Sequence, residues 1–179
     1  MDFEKGFVID FDLHTGMSAM RDTGKRHLSQ MKGMYHDDAA FEKAVANGDP
    51  MVYEFHGLPV PETAGDLAFG CSIVYPGKVG DEYYMTKGHF HAVRETAEIY
   101  LCVGGEGYML METERGEVDL KEMRPNTCVY VPAFWAHRSI NTGNTPLISF
   151  CVYPGHAGHD YGSIETAGFK KRVVEIDGK

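Results

Sequence analysis

The sequence predicts an all-β protein, a sandwich or barrel of short strands, preceded by a short helical segment. From about Pro50 onward, short runs rich in Val, Ile, Tyr and Phe alternate with turn clusters, a spacing typical of all-β domains. No long helical pattern interrupts residues 51–155, which argues against a parallel sheet built from βαβ units. With 179 residues, 43% of them hydrophobic, the chain can bury a substantial core without disulfide bonds or structural metals.

We expect a single domain over residues 1–179. A strand and helix extension (1–50) would precede the barrel (51–155), and a C-terminal segment (156–179) would follow it.

One helix is predicted in the extension, over the segment HDDAAFEKAVANGDP. Asp37 or Asp38 can cap its N-terminus, because a short carboxylate accepts a hydrogen bond from the first free backbone N–H groups. An apolar stripe at helical spacing begins at Phe41, and Gly48 and Pro50 then end the helix. The preceding segment, GKRHLSQMKGMY, is expected to form a short helix or a loop.

The candidate strands are apolar runs bounded by turn residues. In chain order they are MVYEFHGLPVPETAGD, LAFGCSIVYPGKVGDE, YYMTKGHFHAV, AEIYLCVGGEG, YMLMETERGEV, CVYVPAFWAH and LISFCVYPG. The alternation within AEIYLCVGG predicts that Glu98, Tyr100 and Cys102 share one face of a strand. The last segment, ETAGFKKRVVEIDGK, is expected to form a strand with a charged tail.

Charge and composition exclude several classes of protein. Lys+Arg 17 against Asp+Glu 26 gives a net charge of −9, which argues against a nucleic-acid partner and requires any bound phosphate to be held locally. No apolar run approaches the roughly 20 residues of a membrane helix, and the acidic start MDFEKGFVIDFDL is unlike a secretory signal. The four cysteines form no CxxC pair, so we expect free thiols packed as small hydrophobes and a cytoplasmic location; they are Cys71, Cys102, Cys128 and Cys151.

Histidines and one glutamate in the β-rich part form a candidate metal site. His89 and His91 are an HxH pair, and residues i and i+2 of a strand face the same side, so both imidazoles can point at one ion. Glu98 would open the inward face of a strand, where a carboxylate is costly unless it is paired or metal-bound. Together with His137, these groups suit one divalent first-row metal, with Fe as first choice and Mn, Ni, Co or Zn as alternatives.

At these positions the sequence resembles a cupin. The cupin pattern of HxH, Glu, Gly, PxGxxH and Asn is matched by His89, His91, Glu98, Gly105, Pro132, His137 and Asn141. Two glycines of the pattern are replaced, one by Phe134 within PxGxxH and one by Asn126 before the second strand. Asn tolerates a left-handed turn, so the second change is mild.

The segments TKGHFHA, PAFWAHR and AGHDYG closely resemble the cupin-type glucose-6-phosphate isomerases found mainly in archaea, and the resemblance runs from about Phe7 to Val174. It implies a double-stranded β-helix (jelly-roll) barrel and a homodimer that interconverts glucose 6-phosphate and fructose 6-phosphate in glycolysis and gluconeogenesis. It implies one metal ion per subunit, held by His89, His91, Glu98 and His137. It also implies sugar and phosphate contacts at Tyr53, Ser72, Thr86, Gly88, Tyr100, Tyr153, His159 and Tyr161.

These residues suggest a mechanism. Glu98 is predicted to be the base that moves a proton between C2 and C1 through a cis-enediol, with Tyr153 or His159 shuttling hydroxyl protons; hydride transfer is the alternative. Gly88 has no side chain, so a ligand could approach its backbone closely, and neighbouring Lys87 could add charge at the phosphate end. Two other functions are open, another metal-dependent cupin enzyme such as a dioxygenase and a non-catalytic sugar-binding cupin.

Overall fold

The structure is a computed structural model that describes residues 3–18 and 22–178. Both ends of the expected single domain, Met1 with Asp2 and Lys179, lie outside the described residues. The strands and helices in chain order are β1 (Phe11–Asp12), β2 (Met17–Ser18), β3 (Asp22–His27), a 3-10 helix (Leu28–Met31), α1 (Asp38–Ala46), β4 (Met51–Gly57), β5 (Leu67–Val74), β6 (Lys78–Val79), β7 (Glu82–Tyr83), β8 (Glu98–Gly104), β9 (Gly107–Thr113), β10 (Val118–Met123), β11 (Cys128–Val131), β12 (Trp135–Asn141), β13 (Leu147–Pro154) and α2 (Gly162–Ala167).

Two antiparallel sheets form the body of the protein and confirm the all-β jelly-roll prediction. One sheet has six strands in the order β11-β8-β13-β5-β4-β3, and the other has three in the order β10-β9-β12. The segment 84–91 lies beside β12, where the Thr86 N–H donates to the Ser139 carbonyl and His89 and His137 exchange both backbone hydrogen bonds. Buried side chains from both sheets share one apolar core.

Strand β8 shows the predicted alternation. Glu98, Tyr100 and Cys102 are buried, whereas Ile99 and Leu101 are each 39% exposed. This pattern turns the carboxylate and the phenol toward the space between the sheets.

The outward residues of β8 continue an exposed apolar strip onto the edge strand β11. Ile99 pairs with Tyr130 and Leu101 with Cys128, and residues directly opposite each other share a face of a sheet. We call these four residues the outer strip. Cys128 is exposed, so the expectation that it packs as a small hydrophobe was wrong, because it opens an edge strand on the outward face. The other three cysteines are free and buried.

The predicted helix in the extension is confirmed as α1. The Asp37 carboxylate accepts a hydrogen bond from the Ala40 N–H at 2.8 Å, and Phe41 is buried in the core. The segment before it differs from the expectation of a helix or loop, since residues 24–27 belong to β3, the edge strand that pairs with β4. Leu28–Met31 then form the single turn of 3-10 helix.

The C-terminal segment is not the predicted strand. Its first residues belong to α2, which ends at Gly168 in a left-handed conformation (φ 67°). The N–H groups of Lys170 and Lys171 then donate to the buried Glu112 carboxylate, and Val174 makes an isolated bridge. Beyond these two residues, backbone pairing of this described stretch is limited to short contacts of residues 173–175 with residues 81–83. None of the helices in the described residues is long and apolar enough to span a membrane.

Candidate active site

Three histidines and one glutamate come together between the two sheets. The nitrogen and oxygen atoms that His89, His91, Glu98 and His137 could offer a metal all lie within 4.8 Å of one another. The Nε2 atoms of His91 and His137 lie 3.1 and 3.0 Å from the same carboxylate oxygen, Oε2 of Glu98. The ring centroids of His89 and His137 are 4.5 Å apart. We call this group the metal cluster.

The backbone explains why these side chains converge. His89 and His91 lie two residues apart on the segment beside β12, and their rings are roughly parallel. His137 lies directly across from His89 on β12, while Glu98 is the first residue of β8 in the larger sheet. The cluster therefore joins the two sheets.

Hydrogen bonds fix the orientation of His91. Its Nδ1 lies 2.8 Å from the Thr96 hydroxyl, which itself donates to the Val93 carbonyl at 2.6 Å. The Thr96 oxygen therefore accepts from the Nδ1–H of His91, and a neutral His91 turns the lone pair of Nε2 toward Glu98. A lone pair and a carboxylate that face each other at this distance call for a cation between them.

The donor set fits a divalent metal ion. Burial lowers the pKa of His89 well below its usual value, so its imidazole is neutral, and its buried Nε2 has no hydrogen-bond partner among the described residues. Burial raises the pKa of Glu98, but the His137 and His91 rings beside the carboxylate outweigh this, and its pKa lies below the usual range. Imidazole nitrogens beside an ionised carboxylate are the ligands that Fe, Mn, Co, Ni and Zn accept.

A cavity of about 180 Å³ lies beside the metal cluster, between the sheets. The larger sheet contributes side chains from β4, β5, β8 and β13, and the smaller sheet and its flanking segment contribute the rest. All eight residues predicted to contact substrate line this cavity, namely Tyr53, Ser72, Thr86, Gly88, Tyr100, Tyr153, His159 and Tyr161. The cavity and the cluster thus form one site.

His159 and Tyr161 reach the cavity because their segment pairs with the HxH segment. Phe90 and Asp160 exchange backbone hydrogen bonds of 3.2 and 2.8 Å. The His159 ring consequently lies 4.5 Å from that of His89, and the Tyr161 ring stacks on His159 with a centroid distance of 5.7 Å. The Arg94 guanidinium donates to the Asp160 carboxylate at 2.6 Å and lowers the pKa of Asp160 to about 2.

The phenols of the cavity are neutral hydrogen-bond donors. Burial raises the pKa of Tyr53 to about 12 and raises the pKa values of Tyr153 and Tyr161 above their usual range. Burial lowers the pKa of His159, so this imidazole is neutral near pH 7. Neutral O–H and imidazole groups suit the hydroxyls of a sugar, because each can donate and accept.

Contacts with the rest of the protein constrain both Gly88 and Lys87. Gly88 has φ +78°, and a Cβ there would meet Phe169 at 2.7 Å and the His137 carbonyl at 3.0 Å. Packing against the protein therefore requires this glycine, whatever approaches from the cavity. Lys87 pairs with Glu165 at 2.6 Å and does not line the cavity.

The two replaced glycines of the cupin pattern keep the glycine backbone conformation. Phe134 has φ 70° and Asn126 has φ 71°, values that L-residues adopt at a cost and that Asn tolerates best. The retained Gly105 has φ 72°, and a Cβ there would lie 2.3 Å from the Pro146 carbonyl oxygen. The turns of the pattern therefore survive the substitutions.

Sequence reasoning missed five residues that line the cavity, Gly24, Arg26, Phe55, Ser139 and Cys151. Phe55, Ser139 and Cys151 could have been predicted from strand alternation, since each lies two residues from a predicted site residue on β4, β12 or β13. Gly24 and Arg26 were not, because their segment was expected to be a helix or a loop.

A jelly-roll of two antiparallel sheets with three histidines and one glutamate at these positions defines a cupin with a candidate metal centre. The family model described as "Glucose-6-phosphate isomerase (GPI)" matches residues 25–179. The chain belongs to this family.

Three relatives with this name match most of the chain. The glucose-6-phosphate isomerase of Thermococcus litoralis is 47% identical over 179 residues, which cover 100% of this chain and 94% of that protein. The one of Pyrococcus horikoshii is 48% identical over 154 residues (86% and 82%). A putative glucose-6-phosphate isomerase 2 of Rhizobium meliloti is 38% identical over 178 residues (98% and 88%). Among solved structures, an oxalate oxidase in complex with the substrate analogue glycolate matches at 14% identity and a TM-score of 0.46, over 55% of this chain and 47% of that one.

Proposed function

We propose that this chain, as a single cupin domain, is a metal-dependent aldose–ketose isomerase that interconverts glucose 6-phosphate and fructose 6-phosphate. The observation that carries the proposal is the metal cluster beside a cavity lined with phenols and hydroxyls, in a chain of this family. His89, His91, Glu98 and His137 would hold one ion per subunit, with Fe as our first choice. When bound, the ion supplies Lewis acidity toward the sugar carbonyl.

Glu98 is our choice for the base. It is the one carboxylate that lines the cavity. In this scheme Glu98 takes the proton from C2 of open-chain glucose 6-phosphate and returns it to C1, with a cis-enediol between the two steps. The O2 proton passes to O1, so atoms and charge balance over the reaction.

Tyr153 or His159 moves the hydroxyl proton. The two rings lie 5.6 Å apart on one side of the cavity, and both groups are neutral donors at neutral pH. Either can donate to one substrate oxygen while accepting from the other, which a proton shuttle and ring opening both require.

The remaining cavity residues bind the two ends of the substrate. Tyr53, Ser72, Thr86 and the Gly88 backbone lie together at the phosphate end of our proposed arrangement, since hydroxyl and N–H donors suit phosphate oxygens. Tyr100 and Tyr161 would orient the sugar hydroxyls.

Metal removal and restoration test the activity. We expect the protein stripped by a chelator to lose turnover of fructose 6-phosphate, and single divalent ions added one at a time to restore it, Fe²⁺ best. A native protein that does not interconvert the two sugar phosphates, with or without added metal, contradicts the proposal. Unchanged activity after complete stripping contradicts its metal dependence. Running the assay without dioxygen separates this reaction from that of an oxygenase, because the isomerisation consumes none.

The Glu98→Gln substitution tests the base. The amide keeps the size of the side chain but cannot accept the C2 proton, so turnover should fall by about a thousandfold or more. Hydrogen transfer in heavy water provides a separate readout, since an exchangeable enediol proton takes up solvent deuterium. Normal turnover by Glu98→Gln rules out this residue as the base.

We further infer a homodimer located in the cytoplasm, with a place in glycolysis and gluconeogenesis. The outer strip supports self-association, because Tyr130 is 62% exposed beside Ile99 and Leu101 and contiguous apolar surface favours an interface. Light scattering should give twice the subunit mass, and Tyr130→Glu should shift it toward the monomer. A monomer at all concentrations contradicts the dimer.

A further inference from the structure

Arg26 is the one lysine or arginine among the residues that line the cavity. The protein carries a net charge of −9, so its overall field repels an anionic ligand. The hydroxyls and phenols around the cavity are neutral. A single guanidinium in this lining therefore dominates the local attraction for an anion.

The strand geometry directs Arg26 into the cavity. Arg26 lies on the edge strand β3, directly opposite Tyr53 of β4, so both side chains lie on the face of the sheet that lines the cavity. Gly24, two residues earlier, lines the same cavity. The intervening Lys25 lies on the other face and pairs with the Glu54 carboxylate at 3.5 Å.

The charge of Arg26 acts on two phenols of the cavity. Burial raises the pKa values of Tyr53 and Tyr161, and the Arg26 charge opposes this rise at both. Arg26 and both phenols line the same cavity.

Arg26 has no carboxylate partner among the described residues. Its side chain donates to the Lys25 carbonyl at 2.8 Å, which leaves most of its N–H donors available. Other partly buried arginines are paired with acids, Arg94 with Asp160 and Arg172 with Glu82. A half-buried cation without a counter-ion, beside hydroxyl donors, is suited to bind an anion from outside the chain.

We propose that Arg26 binds the phosphate dianion of the substrate and sets the preference for phosphorylated over free sugars. This inference rests on the proposed function for the identity of the substrate. A guanidinium makes two parallel hydrogen bonds to a phosphate, which are charge-assisted and stronger than those of neutral hydroxyls. Arg26 lies outside the metal cluster, so it contributes to binding rather than to the hydrogen transfer.

Kinetics of Arg26→Met, Arg26→Lys and the control Lys25→Met test the inference. Arg26→Met should raise KM for fructose 6-phosphate by about ten- to hundredfold and leave kcat within about twofold, as expected for lost uniform binding. It should also narrow the preference for fructose 6-phosphate over fructose. Arg26→Lys should fall between Arg26→Met and the native protein, and Lys25→Met should match the native protein. Metal content should stay unchanged in all three.

Binding of inorganic phosphate, measured by calorimetry, separates this inference from the proposed function. Phosphate should bind the native protein and Lys25→Met equally and Arg26→Met about tenfold or more weakly. If the native protein lacks isomerase activity but this difference is seen, the proposed function fails and the anion site stands. If Arg26→Met keeps the native KM and the native phosphate affinity, or loses kcat at unchanged KM, the inference is overturned.

Discussion

The metal cluster and the rim of the cavity are neighbours that are built in different ways. Glu98 and His137 lie on strands β8 and β12, His89 pairs with His137, and His91, Glu98 and His137 are at most 5% exposed. The rim, which we define as Arg26, His159 and Tyr161, comes from an edge strand and from the segment that follows β13. Tyr161 is 38% exposed.

This difference separates two properties of the site. The fold itself sets the positions of the cluster residues, because Glu98 and His137 lie in paired strands, His89 pairs with His137, and Thr96 holds His91. The segment with His159 and Tyr161 is attached through a few hydrogen bonds and one ion pair, so this part of the rim can change affinity for substrate without releasing the metal. Substitutions in the two regions should therefore differ in metal content, in kcat and in stability.

The largest effect is expected for His137→Ala in the cluster. Loss of one imidazole should lower the metal content below one ion per subunit and lower kcat/KM by about a thousandfold or more, since a Lewis acid contributes several kcal/mol to the transition state. Elemental analysis and steady-state kinetics measure the two quantities. The exposed His14→Ala variant serves as a control and should retain both. Normal metal content in His137→Ala would remove this residue from the ligand set.

A smaller effect is expected for Thr96→Val, which keeps the size of the side chain but removes the acceptor at 2.8 Å from the Nδ1 atom of His91. Groups that orient a ligand from behind typically change metal affinity by about 10–100-fold. Titration against a competing chelator measures this loss. The control is Thr142→Val, just beyond the far end of β12. Equal metal affinity in the two variants would show that the His91 ring is held by other contacts.

Asp160→Asn probes the attachment of the rim. Hydrogen bonds from Arg94 and Ser163 hold the pKa of Asp160 at about 2, below its usual value of 3.8. A carboxylate with a lowered folded-state pKa stabilises the protein above the unfolded pKa and loses this contribution as the pH falls through the folded one. The native protein should therefore melt at a higher temperature than Asp160→Asn at pH 6, and the gap should narrow toward pH 3. The exposed Asp10→Asn variant should show no such trend. If the difference in melting temperature between Asp160→Asn and the native protein is constant with pH, the ionised Asp160 carboxylate does not stabilise the fold as proposed.

The smallest effect concerns the turn that leads into β12. Phe134 adopts φ 70° and is 53% exposed, so Phe134→Gly relieves a left-handed backbone at little cost in packing. We expect the free energy of unfolding to rise by about 0.5–1 kcal/mol, after allowing for the entropy of glycine. Asn126→Gly at φ 71° should raise the free energy of unfolding by less, because Asn tolerates this conformation. Chemical denaturation measures both, and a loss of stability in Phe134→Gly would mean that its ring makes a net stabilising contact.

Much of the metal cluster could be predicted from the sequence, because its signals are local. Alternation turns Glu98 inward, as the structure shows, and the HxH spacing brings His89 and His91 to one group, although their segment is not a regular strand. His137 was a candidate from the sequence as well, and the match to the cupin pattern supported it. Their role as ligands stays a prediction for the experiments above.

The rest of the site could not be predicted because it depends on long-range pairing. Arg26 faces the cavity only because β3 pairs with β4 across a helix and a turn, and no local pattern in GKRH shows this. The C-terminal segment looked like a strand, but it begins in α2, and the N–H groups of Lys170 and Lys171 donate to Glu112, which is remote in the sequence. Cys128 lies in an apolar run, yet its place on an edge strand exposes it.

The paired backbones of His89 and His137 tie the chemistry of the site to the folding of the chain. An ion held by these residues and by Glu98 would bridge the two sheets, in effect a reversible cross-link at the centre of the barrel. A ligand that binds only the folded state adds stability in proportion to the logarithm of its concentration, about 1.4 kcal/mol per tenfold above Kd. The midpoint temperature of thermal unfolding should therefore rise with the concentration of free metal around the protein.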